Sequence, residues 1–146
     1  MGRVLYVRCT AAYRFKNPST KVGACIVNLQ NKIVATGHNG MPNGVHDDLV
    51  LWDNHGPYLE TKYAYVVHAK LNAIFNSVLT DQTGCRLYVS LFPCNGCAKA
   101  ISQTDIKDVI YVSDKHRDKD STKASKRMFN LAGVRCKQFT GKLIVQ

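Results

Sequence analysis

His68, Cys94 and Cys97 are the residues whose types and spacing carry the most chemistry in this chain. One imidazole and two thiolates supply three zinc ligands. Three protein ligands leave the fourth tetrahedral position to water, which is the pattern of a catalytic zinc site and not of a closed structural one. His68 opens a segment in which Leu71, Ala73, Ile74, Val78 and Leu79 are apolar at helical spacing. Cys94 and Cys97 stand three apart after Pro93, at the start of a second helix. Two helix N-termini then face one metal, and their positive poles join the metal in favouring thiolates. Taken singly the features have blander meanings: a C-x-x-C pair can be a redox pair, and a His before a helix more often caps or packs. The combination, with Pro93 and an intervening strand, points to a metal.

The stretches His68-Ala69-Lys70 and Pro93-Cys94-Asn95-Gly96-Cys97 resemble the H-x-E and P-C-x-x-C signature of the zinc nucleobase deaminases. In those proteins a Glu that does not ligate the metal shuttles protons between water and the base. Lys70 stands at the Glu position here. The shuttle must first accept a proton, and an ammonium is a donor only. Burial beside a metal favours a neutral amine, which then competes with water for the zinc. Losing a general acid-base group costs roughly two to four orders of magnitude in rate. The expectation is the fold and the metal site without useful deamination.

The elements that must position these residues follow in chain order. Val4 to Lys16 reads as a helix ended by Asn17-Pro18. Val22 to Leu29 and Lys32 to Asn39 are β-rich runs about Gln30-Asn31, which predicts a hairpin. Gly40 to Tyr65 is a long insert rich in Gly, Pro, Asn and Asp; inserts of that length are usually functional or disordered. Beyond the helix from His68 come a strand at Cys85 to Ser90, the helix from Cys94 and a strand at Val109 to Val112. A helix at Ser121 to Leu131, ended by Ala132-Gly133, precedes a last strand at Val134 to Phe139. This alternation predicts parallel pairing in the second half with the hairpin on one side. The fold class is α/β, a three-layer α/β/α sandwich around a five-stranded mixed sheet.

Length and composition bound the rest. The 146 residues predict a single domain over 1–146. No run is apolar enough to span a bilayer and no signal-peptide pattern is present, so a soluble, cytoplasmic protein is expected. Two of the six cysteines go to the zinc; Cys25, Cys85 and Cys136 lie in strand-like runs and are expected to be reduced and mostly buried. The net charge is +10, and eleven of the 20 Lys and Arg residues lie from Lys99 onward. The cluster Lys115, Arg117, Lys119, Lys123, Lys126 and Arg127 suits a phosphate or a polynucleotide, or else is a solvated helix face. No aromatic-interleaved nucleic-acid motif accompanies it.

A narrower resemblance rests on Val22-Gly23-Ala24-Cys25-Ile26-Val27-Asn28 after Pro18, on Gly37-His38-Asn39-Gly40-Met41-Pro42-Asn43-Gly44, and on Asp47-Asp48. Thr61-Lys62-Tyr63, His68 to Ile74, Leu91-Phe92-Pro93-Cys94 and Cys97-Ala98-Lys99 extend it. The chain is similar, from about Asn17 to Val134, to the eukaryotic deoxycytidylate (dCMP) deaminase branch of the cytidine deaminase superfamily. The resemblance implies zinc-dependent conversion of dCMP to dUMP in thymidylate supply, dCTP as activator, dTTP as inhibitor, and homo-oligomers that are often hexamers. It implies His68, Cys94 and Cys97 as zinc ligands and Lys70 at the proton-shuttle position. Asn39 would face the substrate sugar, the backbone around Ala69 and Ser90 would read the cytosine edge, and His116 would replace a substrate-facing Tyr. Asn39, Gly40, Asn43 and Gly44 would help form the regulatory nucleotide site. Asp47 and Asp48 suit the Mg2+ of a nucleoside triphosphate, or cap the next turn.

Other positions depart from the resemblance or stand outside it. Tyr6, Arg8 and Thr10 replace smaller or apolar residues of the relatives' first helix, and Arg8 needs a partner if that face is buried. Trp52 suits a lid, an oligomer contact or plain packing, and His46 and His55 offer a second metal two imidazoles but no thiolate. Three readings remain. One is a residually active dCMP deaminase. The second is a zinc-bound scaffold that holds nucleotide without turnover and tunes active partners in mixed oligomers. The third is a basic nucleic-acid-binding module on the same fold.

Overall fold

The computed structural model describes residues 22–45 and 55–139. The expected helix at Val4 to Lys16, with Tyr6, Arg8 and Thr10, lies outside the described residues, as do His46, Asp47, Asp48 and Trp52. The described elements are β1 (Gly23–Val27), β2 (Ile33–His38), α1 (Ala69–Asn76), β3 (Arg86–Leu91), α2 (Asn95–Gln103), β4 (Asp108–Ser113), α3 (Asp120–Ala132) and β5 (Arg135–Gln138). Two short 3-10 turns, Tyr58–Glu60 and Lys62–Ala64, precede α1.

The expected hairpin and the expected alternation are both present. Asn28 makes the hairpin turn, its Oδ1 accepting the N–H groups of Gln30 at 3.0 Å and Lys32 at 2.9 Å, while Asn31 takes a φ of 61°. Asparagine tolerates that left-handed region better than most residues. The sheet order is β2-β1-β3-β4-β5. β1 pairs antiparallel with both β2 and β3, and β3-β4 and β4-β5 are parallel. The five-stranded mixed sheet of the α/β class is therefore as expected.

Strand alternation sends two sets of side chains to opposite faces. Ala24, Ile26, Leu87, Val89 and Val109 pack with Ala69, Ala73, Ala98, Ile101 and Phe129, so the three described helices cover one face. Cys25, Val27, Tyr88 and Ile110 form a second buried cluster on the other. α3 ends at Gly133, whose φ of 74° is the left-handed cap that glycine adopts without a Cβ clash. All four β5 residues are exposed, so Cys136 is exposed too, unlike the buried Cys25 and Cys85.

α1 lies unusually close to β2. A Cβ on Gly37 would fall on the carbonyl oxygen of Ala69 and the amide nitrogen of Ala73, both backbone atoms of α1. Ala69 and Ala73 are fully buried one turn apart, so small residues on both sides set this approach. Gly37→Ala should cost about 3 kcal/mol, since backbone and not a flexible side chain must move. Urea unfolding checks this.

The layout brings the strand ends together. β3 ends near the start of β1 and the end of β2, and β4 ends beside β3 in parallel register. Ligand crevices in α/β sheets lie outside the carboxyl ends of parallel strands, where the topology switches.

Candidate metal centre

α1 and α2 each present their N-cap residue, His68 and Cys94, at this edge. Cys97 follows in the first turn of α2 and is buried, so both sulphurs sit at the positive pole of one helix. His68 Nδ1 lies 3.3 Å from Cys97 Sγ and 3.5 Å from Cys94 Sγ, and the three ligand atoms all lie within 4.8 Å of one another. A tetrahedral zinc with bonds of about 2.0 Å to nitrogen and about 2.3 Å to sulphur separates the two by roughly 3.5 Å. The residues fit zinc, with Nδ1 as the ligand nitrogen. His68, Cys94 and Cys97 form the one such cluster found among the described residues.

Without metal the thiols share charge unequally. The Cys97 thiol, donating to Cys94, pulls the Cys94 thiol far below its usual range against burial, and His68 adds to the effect. Cys97, holding that proton and largely buried, is pushed up.

A cavity of about 380 Å³ opens beside the centre, lined by His68 and Cys94 together with Asn39, Lys62, Lys70 and His116. Phe92, at the end of β3, contributes one wall and meets Tyr111 edge-on, the ring centroids being 4.8 Å apart. Lys70, in the first turn of α1, is 4% exposed. Burial pushes its ammonium below the usual range, and the charges of Cys97 and Cys94 oppose the shift. His116 is held below its usual range by burial, then by Lys119 and Lys115.

Asn39 is buried, and its Oδ1 accepts the Ala69 N–H at 2.8 Å, tying the end of β2 to the first turn of α1. The Ala69 amide is thus occupied within the chain. Ser90 does not line the cavity; its Oγ accepts the Gly23 N–H at 3.0 Å. Nor do Gly40, Asn43 and Gly44. Gly40 pairs with Val67 through two backbone hydrogen bonds, and Gly44, with a φ of 85°, sits in an exposed turn.

The sequence reading did not single out Lys62 or Thr122 as site residues. Lys62, which burial shifts below its usual range, is 4% exposed in a 3-10 turn, and Thr122 is equally buried in the first turn of α3. Nothing in local periodicity marks a buried lysine in an irregular insert. Lys115 and Lys119 were read only as members of a basic cluster, and both line this cavity. No described helix is long and apolar enough to cross a membrane.

Comparison with known proteins agrees with this geometry. The family described as the cytidine and deoxycytidylate deaminase zinc-binding region matches residues 3–113. The chain is 55% identical over 133 residues to the deoxycytidylate deaminase of Mus musculus, covering 90% of this chain and 75% of that protein. The Homo sapiens deoxycytidylate deaminase is 53% identical over the same coverage. Among solved structures, the dCMP deaminase of cyanophage S-TIM5 in complex with dCMP and dUMP superposes with a TM-score of 0.73. It is 24% identical, and the match covers 92% of this chain and 93% of that one.

Proposed function

The chain belongs to the cytidine and deoxycytidylate deaminase family with a zinc-binding region, and from that premise we propose a dCMP deaminase scaffold that binds zinc and nucleotide but is impaired in turnover. The family reaction takes up one water, releases ammonia, and converts dCMP to dUMP. The observation that carries the proposal is Lys70, buried in the cavity that His68 and Cys94 line. His68, Cys94 and Cys97 would hold the zinc, which when bound would supply the Lewis acidity that makes water a nucleophile near neutral pH.

Each neighbouring residue has a role in that reading. Asn39, held by its bond to the Ala69 N–H, faces the nucleotide sugar. The Ala69 to Lys70 turn and the end of β3 near Ser90 flank the base, and His116 stacks on it with less surface than a tyrosine offers. Phe92 helps exclude water. The missing role is the proton shuttle: an ammonium at Lys70 offers no acceptor for the proton that water must lose, and a neutral amine there competes for the metal. Effector binding of dCTP or dTTP at Asn39, Gly40, Asn43 and Gly44, and homo-oligomer formation, belong to the same proposal and rest on family membership.

Thermal melting tests the binding half. Zinc-loaded protein should melt higher with dCMP, and the increase should survive moderate salt. Stabilisation by single-stranded DNA, lost in salt and absent with dCMP, would instead favour a basic nucleic-acid-binding module.

A further inference from the structure

Three asparagines fasten α1 along β2. Asn39 Oδ1 accepts the Ala69 N–H at 2.8 Å, Asn72 Nδ2 donates to the His38 carbonyl at 2.6 Å, and Asn76 Nδ2 donates to the Thr36 carbonyl at 3.2 Å. Partner numbers fall on β2 as they rise on α1, so helix and strand run antiparallel. The repeats agree: four residues of helix rise about 6.0 Å, and two residues of strand span about 6.8 Å. Asn72 and Asn76 therefore meet alternate carbonyls of one strand.

β2 is an edge strand, and covering the backbone groups of an edge keeps it from pairing with another chain. Asn72 does more than cover. Its backbone N–H donates to the His68 carbonyl at 3.0 Å, so one residue joins the β2 backbone to the N-cap that carries the imidazole. On the other side of His68, Val67 and Gly40 exchange backbone hydrogen bonds of 2.8 and 3.1 Å. His68 is thus bracketed against the end of β2, whereas Cys94 and Cys97 belong to α2. The close contact of Gly37 with α1 sets how near the helix lies to β2. Directional hydrogen bonds set how far along the strand it lies. That register matters to a metal. A slip of one residue along the axis moves His68 by about 1.5 Å, while metal–ligand distances tolerate about 0.2 Å.

We infer that Asn72 is a positioning residue for the metal centre: its bond to the His38 carbonyl fixes the register of α1 on β2, and with it the reach of the His68 imidazole toward a zinc shared with Cys94 and Cys97. Asn72 acts through His68 and does not itself line the cavity. The inference deepens the proposed function and rests on zinc at this centre.

Competition of the full chain against a coloured zinc chelator, beside the visible spectrum of the cobalt-loaded protein, tests it. Asn72→Ala is expected to weaken zinc about tenfold, the lower end of what groups supporting a metal ligand contribute, and to lower the intensity of the cobalt bands. Asn72→Asp keeps the size but not the donor and should do the same. Asn76→Ala removes a bond of the same kind farther from His68. It should lower the melting temperature of the zinc-free protein as much as Asn72→Ala does, yet change zinc affinity less than about twofold. Zinc affinity within about twofold of the parent in both Asn72 variants, or an equal loss in Asn76→Ala, would overturn the role of Asn72 and leave the ladder a cover for the strand edge. A parent chain that takes up neither metal would overturn the zinc reading, and this inference with it.

Discussion

Replacing Lys70 by glutamate should switch the chain on. With zinc present, Lys70→Glu is expected to convert dCMP to dUMP at least about 10²-fold faster than the parent, up to about 10⁴-fold, the range that a general acid-base group contributes. A carboxylate accepts the proton that water must lose and, once protonated, can deliver it onward. Lys70→Gln should remain silent, because an amide of the same length cannot take up that proton. The comparison separates proton transfer from shape. The variant should also lean more heavily on the metal: without zinc, a buried carboxylate faces two sulphurs instead of a cation, so zinc-free Lys70→Glu should melt below the zinc-free parent. If His116 is the only other lesion, adding His116→Tyr should raise the rate of the Lys70→Glu variant further, through the larger ring.

Loss of a metal ligand should have the next largest effect. Cys97→Ser is expected to lower bound zinc from one equivalent per chain to less than about a tenth, measured after dialysis by atomic emission. A hydroxyl is a far poorer zinc ligand than a thiolate, and no other His/Cys/Asp/Glu cluster among the described residues offers a substitute. Zinc held by His68 of α1 and Cys94 and Cys97 of α2 would tie the two helices together, so its loss should reach the fold. Metal at about a thousand times its Kd stabilises the folded chain by about 4 kcal/mol, and at about 2–4 °C per kcal/mol the zinc-free protein should melt roughly 10 °C lower. Cobalt in place of zinc offers a second readout, since tetrahedral thiolate coordination gives visible absorption bands that Cys97→Ser should abolish. Unchanged bands would move the metal elsewhere.

The cluster of His68, Cys94 and Cys97 was legible because its chemistry is local. A C-x-x-C after a proline and a histidine before an apolar helical run need only adjacent residues to be recognised, and the structure brings them together as that spacing implies. The hairpin and the alternating second half were legible for the same reason, in the turn at Asn28 to Lys32 and the Gly133 cap. What the sequence hid depends on contacts across the fold. Lys62 reads as a solvated lysine in an irregular insert, and only tertiary packing buries it at the cavity. Lys119 reads as one charge in a basic run, and only the fold places it at the N-cap of α3 on the cavity wall. Cys136 reads as buried because strand alternation cannot distinguish an edge strand from a central one, and β5 is the edge. The Ser90 hydroxyl fastens β3 to the start of β1, a contact between strands that residue spacing alone does not show.

A single-turnover experiment with zinc-loaded parent protein in excess over dCMP tests most directly whether this cavity holds a nucleotide it cannot convert. The account predicts that dCMP is bound and recovered unchanged, with dUMP no faster than in a protein-free control. Conversion of the bound dCMP to dUMP by the parent would contradict the role given to Lys70, because some other group would then be moving the proton.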